Sequence, residues 1–207
     1  MMRYAMLFLL MVAALGASAA DDSHAHHKHH HSAHADQTPK RDVQLRLLDL
    51  QVQDQDGRIL KFKSEVLGDK IVAINFVFTT CTAVCPVQSA ILSKVQRLVH
   101  QDLGTEIALV SVSVDPRTDT PARLKAYSKT HDAKTGWAWI TGSKSEIDQI
   151  LVGLKAYTPN YTDHPAMILV GDAKLGAWTR FNGFPEPERV AGQLRAFQTA
   201  RRALMAK

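Results

Sequence analysis

Cysteine is scarce in this chain. There are two, Cys81 and Cys85, with three residues between them. A bond closing so short a loop removes little chain entropy, so the pair is better placed for chemistry than for stapling a fold. A disulfide-framed scaffold is thereby excluded. Charge of one sign is also missing. The formal net charge is +5, and Lys and Arg are scattered with no basic stripe and no interleaved aromatics. Nucleic-acid binding therefore has no footing, and no nucleic-acid partner is expected. No internal repeat is visible. Beyond the first twenty residues there is no apolar run long enough to cross a bilayer.

The N-terminal region holds two unusual segments. Residues 1–20 combine Arg3, an apolar run from Ala5 to Leu15, and the small residues Ala17-Ser18-Ala19. This pattern predicts a secretory signal peptide cut near Ala19 or Ala20. The run is too short for an ordinary transmembrane helix, and no Cys follows it to carry a lipid. Export is the expectation, to the periplasm if the source is bacterial, with retention at the membrane if the signal stays uncleaved. Residues 21–40 hold seven of the ten histidines, from His24 to His34, and almost nothing apolar. Such a segment has too little to bury and is predicted to be disordered.

Residues 41–207 read as one domain and are expected to be monomeric. Leu45, Leu47, Leu50 and Val52, then Asp54-Gln55-Asp56-Gly57, then Leu60 and Phe62, predict a β-hairpin. The nearly unbroken apolar run 71–78 predicts a strand buried on both faces. Val84, Val87, Ile91, Val95 and Leu98 recur at helical spacing, and Pro86 requires that helix to begin close to the cysteines. A second buried strand covers 107–114. Asp119-Thr120-Pro121 is a helix-start signal, with Thr120 as a cap and Pro121 at the first helical position, and Ser143 or Ser145 opens another. A strand at 167–170, a turn at Gly171, a strand at 177–181 and a helix from Pro187 complete the chain. Strands alternating with helices predict an α/β fold with a central, mainly parallel sheet, helices on both faces and an N-terminal β-hairpin. A dithiol directly after a buried strand, at the start of a helix, is the thioredoxin plan.

That position has chemical consequences. The positive end of a helix stabilises thiolates, so both cysteines are expected to ionise easily. Three intervening residues, where redox enzymes of the thioredoxin type have two, bring both sulfurs to one helix face if the helix begins early. Two soft thiolates suit Cu(I), and an imidazole suits the next position. His164, just before the strand at 167, is the histidine the topology brings past the dithiol; His100 sits at the far end of the helix. A cis bond before Pro165 would aim that ring.

The motifs 75–86 (NFVFTTCTAVCP), 112–116 (VSVDP), 119–121 (DTP), 139–142 (WITG) and Asp163-His164 occur in an order that resembles the Sco/SenC family of copper chaperones. The likeness runs from about Val43 to Phe197. It implies a thioredoxin-like domain with Cys81, Cys85 and His164 as copper ligands and Asp115 as an acidic group near the site. It also implies a role in assembling the binuclear copper centre of cytochrome c oxidase. The copper-bearing oxidase subunit would be the client and another protein the copper donor. Thr82 stands where the family often has Pro, and Pro165 where it has a small polar or β-branched residue. Two further readings use the same residues. One is an exported thiol–disulfide oxidoreductase with Cys81 and Cys85 as its redox-active pair. The other, a peroxidase relative, lacks an Arg clearly placed to support a thiolate.

Overall fold

The computed structural model describes residues 39–40 and 42–206. The predicted signal peptide and the His-rich tract from His24 to His34 lie outside the described residues. Those that are described fall within one compact unit, Ala33–Lys207.

The elements follow in the order β1 (Gln51–Asp54), β2 (Ile59–Lys61), β3 (Ile71–Val77), α1 (Val84–Leu98), β4 (Ile107–Ser113), α2 (Pro121–Thr130), β5 (Trp137–Thr141), α3 (Lys144–Gly153), β6 (Met167–Asp172), β7 (Ala177–Asn182) and α4 (Pro187–Met205). The α/β class, the helices on both faces and the N-terminal hairpin are as expected. The hairpin is shorter than its apolar pattern suggests. Asp54 closes its turn by accepting the Asp56 and Arg58 N–H groups at 2.9 Å each. Phe62 leaves the ladder and opens a π-helical turn, Phe62–Leu67, which buries Phe62, Val66 and Leu67.

The sheet runs β2-β1-β5-β4-β3-β6-β7. Its direction corrects the expectation of a mainly parallel sheet. Only β3–β4 and β4–β5 are parallel; β2–β1, β1–β5, β3–β6 and β6–β7 are antiparallel. Parallel neighbours need a crossover, which α1 and α2 provide for the centre, whereas tight hairpins at both edges can only give antiparallel pairs.

Burial on both faces explains the apolar runs. All seven residues of β3 and all seven of β4 are buried. On one face Val72, Ile74, Phe76, Val110 and Val112 pack with Ile147 and Ile150 of α3. On the other, Ile71, Ala73 and Leu109 pack with Leu92 and Val95 of α1, Leu124 of α2 and Leu194 of α4. Val87, at the right spacing for the inner face of α1, is instead 47% exposed, while Gln88 is 1% exposed.

This topology gathers three connections. β3 and β4 end together, with Val77 opposite Ser113. β6 runs the other way and begins at that same edge, with Ile168 opposite Asn75. The segments after β3, after β4 and before β6 therefore meet at one end of the sheet.

Candidate metal centre

The segment after β3 carries the cysteines. Phe78 to Cys81 forms a turn closed by the Cys81 N–H donating to the Phe78 carbonyl at 3.1 Å. Helix α1 begins only at Val84, with Ala83 at its cap position. Alanine has no oxygen to cap with, and the Cys85 N–H instead donates to Cys81 Sγ at 3.3 Å. The first sulfur thus takes the place of a capping side chain. The two sulfurs meet because the turn folds back over the helix end, not because both lie on one helix face.

The two thiols differ, which corrects the expectation that both ionise easily. Burial works against the Cys81 thiolate, but the Cys85 thiol and the N–H groups of Cys85, Ala83 and Val84 outweigh it and hold Cys81 below an ordinary thiol. Cys85 is 4% exposed. Its burial, with the Cys81 sulfur beside it, pushes its pKa up to about 12. Both cysteines are free thiols.

His164 comes from the segment before β6. A 3₁₀ turn, Tyr161–Asp163, capped by Asn160, delivers it in extended backbone with ψ 121°, as a residue before proline prefers. The His164–Pro165 bond is trans, since there is no cis bond among the described residues. His164 lines the same cavity as both cysteines all the same, so a cis bond is not what brings it there. The ring packs against Phe76 at 5.0 Å. Burial lowers its pKa, and the carbonyls of Ala156 and Pro165 pull the other way. Among the described residues nothing hydrogen-bonds its Nε2, which is buried.

Cys81, Cys85 and His164 line one cavity of about 260 Å³, with Phe76, Phe78, Gln88 and Val114 among its walls. Among the described residues no three His, Cys, Asp or Glu side chains are already gathered at metal-binding distance. The cavity's donors are two sulfurs and an imidazole nitrogen, a set that suits a soft monovalent ion. A buried ring nitrogen with no partner is otherwise a cost; a bound ion would remove it. The residues fit copper.

Asp115 is not in this cavity. It lines a neighbouring cleft with Arg117 and Tyr161, and Val114 separates the two. Its backbone forms the turn after β4, with its carbonyl accepting from Thr118 and Asp119. His100 lies exposed beyond α1, with Nδ1 2.9 Å from the Arg97 carbonyl. His131 packs on Tyr127 and stacks on Trp139. Sequence reasoning missed Phe76, Gln88 and Ala156. Gln88 alone left a trace, as a polar residue one helical turn beyond Val84.

Comparison with known proteins agrees with the fold and the motifs. A family model described as SCO1/SenC matches residues 47–199. The SCO1 protein homolog of Bacillus subtilis is 30% identical over 99 residues, 47% of this chain and 50% of that protein. The chain spans about half the length of the curated relatives it first matches. The copper-bound structure of Bradyrhizobium japonicum ScoI is 30% identical, with a TM-score of 0.60 over 71% of this chain and 96% of that one. BsSco, a Sco-family cytochrome c oxidase assembly protein with a disulfide switch, shares the fold. Its identity is 22% and its TM-score 0.65, over 77% of this chain and 97% of that one. With the family model matching well over half its length, the chain belongs to the SCO1/SenC family.

Proposed function

We propose that this protein binds one Cu(I) through Cys81, Cys85 and His164 and delivers it, as an exported metallochaperone, to the copper-bearing subunit of cytochrome c oxidase during assembly. The observation that carries the reading is the buried, unpartnered Nε2 of His164 in the same cavity as both sulfurs. A dithiol reductase has no use for such a group. Copper bound to a relative 30% identical over most of its length supports the choice of metal. The place in oxidase assembly is taken from the Sco relatives as a class.

The residues divide the work. Cys81 offers the more accessible thiolate and meets the ion first. Cys85 is protonated in the free protein and gives up its proton as the metal arrives, since the thiolate is the ligand. His164, kept neutral by burial, supplies nitrogen without a proton to lose. Because the three donors are not yet gathered among the described residues, the loop carrying His164 closes onto the ion held by the two sulfurs. Three ligands hold Cu(I), and incoming ligands of a client displace them one at a time. The source of the copper is another protein of the exported compartment.

One observation favours a second reading. A low-pKa thiol beside a buried, high-pKa partner is the arrangement of a nucleophile and a resolving thiol in disulfide exchange. In that role the pair reduces the cysteines of the oxidase copper centre. The deciding experiment sets stoichiometric Cu(I) binding by the reduced protein beside an insulin-type disulfide reduction assay. One tightly held Cu(I) per chain with weak reductase turnover supports the chaperone. Fast turnover with no stoichiometric copper overturns it.

A further inference from the structure

Asp119 reads from sequence as part of a helix start, but the helix does not use it. Thr120 caps α2, its side chain accepting the Arg123 N–H at 3.3 Å, and Pro121 follows. The Asp119 side chain turns the other way and is fully buried. Its Oδ1 accepts the Thr79 N–H at 3.0 Å and the Thr79 hydroxyl at 2.6 Å. Its Oδ2 accepts the Ser113 hydroxyl at 2.6 Å. None of the ion pairs among the described residues involves it. A carboxylate buried without a cation is expensive, and only its donors offset the cost. Both of Thr79's donors are committed to this one side chain, 40 residues away.

Thr79 lies inside the turn from Phe78 to Cys81 that brings the first sulfur over the helix end. Ser113, the last residue of β4, also accepts the Asp115 N–H at 3.1 Å. Asp119 therefore ties the dithiol turn to the rigid end of a central strand.

We propose that Asp119 is a positioning residue, a buried latch that holds the Phe78–Cys81 turn in the shape in which the dithiol takes copper. This rests on the copper-binding reading above. Asp119 touches neither sulfur and acts through Thr79.

The test uses the reduced full-length protein and three variants, Asp119→Ala, Asp119→Asn and Leu124→Ala. Cu(I) affinity is measured by competition with a chromophoric chelator, and amide hydrogen exchange is followed at Thr79 and Cys81. Asp119→Ala should weaken Cu(I) binding about tenfold, equivalent to ~1.4 kcal/mol, and speed exchange at both amides by a similar factor. Asp119→Asn keeps a carbonyl oxygen for Thr79 and an amide for Ser113, and should restore most of both. Leu124→Ala removes a fully buried apolar side chain of α2 that makes none of the hydrogen bonds of the latch. It should destabilise the fold while leaving copper affinity and the two amides as in the parent. Parent-like affinity and exchange in Asp119→Ala would overturn the latch. So would an Asp119→Asn variant as impaired as Asp119→Ala, or a Leu124→Ala variant that loses copper equally. If the parent itself holds no Cu(I), the copper reading fails instead, and the exchange rates alone decide whether the latch exists.

Discussion

The two thiols should differ in reactivity by a factor that can be worked from their surroundings. Cys81 lies below the ordinary value of 9.0 and Cys85 near 12. Well below both pKa values, each pKa unit between them gives Cys81 a roughly tenfold larger thiolate fraction. A more basic thiolate is a better nucleophile, with a Brønsted slope of about 0.4–0.5, which returns roughly threefold per unit to Cys85. The net expectation is that Cys81 alkylates faster, by about threefold for each unit of separation. Burial of Cys85 widens the ratio further. The assay is timed iodoacetamide labelling of the reduced, metal-free protein, with peptide mass spectrometry to assign each site. Raising the pH should speed Cys81 labelling through a midpoint below that of a free thiol, with Cys85 lagging throughout. In denaturant, where both surroundings vanish, the ratio should fall close to one. Equal rates in the folded protein, or Cys85 reacting first, would refute the assignment of Cys81 as the leading thiol.

Two further outcomes are expected. Arg201 pairs with the fully buried Asp172 through two contacts, at 2.7 and 2.5 Å, so Arg201→Ala leaves an uncompensated buried carboxylate. It should cost about 3 kcal/mol in a urea titration; a loss under 1 kcal/mol would contradict the burial argument. We also propose that the His24–His34 tract binds metal in its own right. Deleting it should lower the total Cu(II) or Zn(II) bound per chain, read by metal analysis after dialysis, while one Cu(I) site remains. Loss of that last site would make the tract part of it.

Much of the architecture was legible because its cues are local. Thr120 with Pro121, Ser143 and the apolar runs of β3 and β4 each carry their reason in adjacent residues, and the structure places helices and strands there. The placement of Cys81, Cys85 and His164 around one cavity was legible from topology together with the family resemblance. What was not legible depends on partners distant in sequence. The direction of β6 is set by the end of the sheet at which the chain arrives after α3, not by its own residues. Val87 and Gln88 exchange places between inside and outside because the Gln88 amide finds the Gly183 carbonyl at 3.2 Å. The split between the two thiols arises from burial of Cys85 and from the N–H groups around Cys81, neither of which a spacing reveals. Asp119 looked like a helix signal because its real partners, Thr79 and Ser113, belong to other elements.

Whether His164 is a copper ligand can be tested with one substitution. His164→Ala removes an imidazole but leaves both thiols able to form a disulfide. The measurement is Cu(I) affinity by chelator competition, paired with oxidase activity in a strain whose only copy carries the variant. Affinity should fall by at least about tenfold, ~1.4 kcal/mol, with loss of oxidase activity and retained dithiol redox chemistry. Unchanged affinity together with normal oxidase activity would remove His164 from the centre and leave the reductase reading in its place.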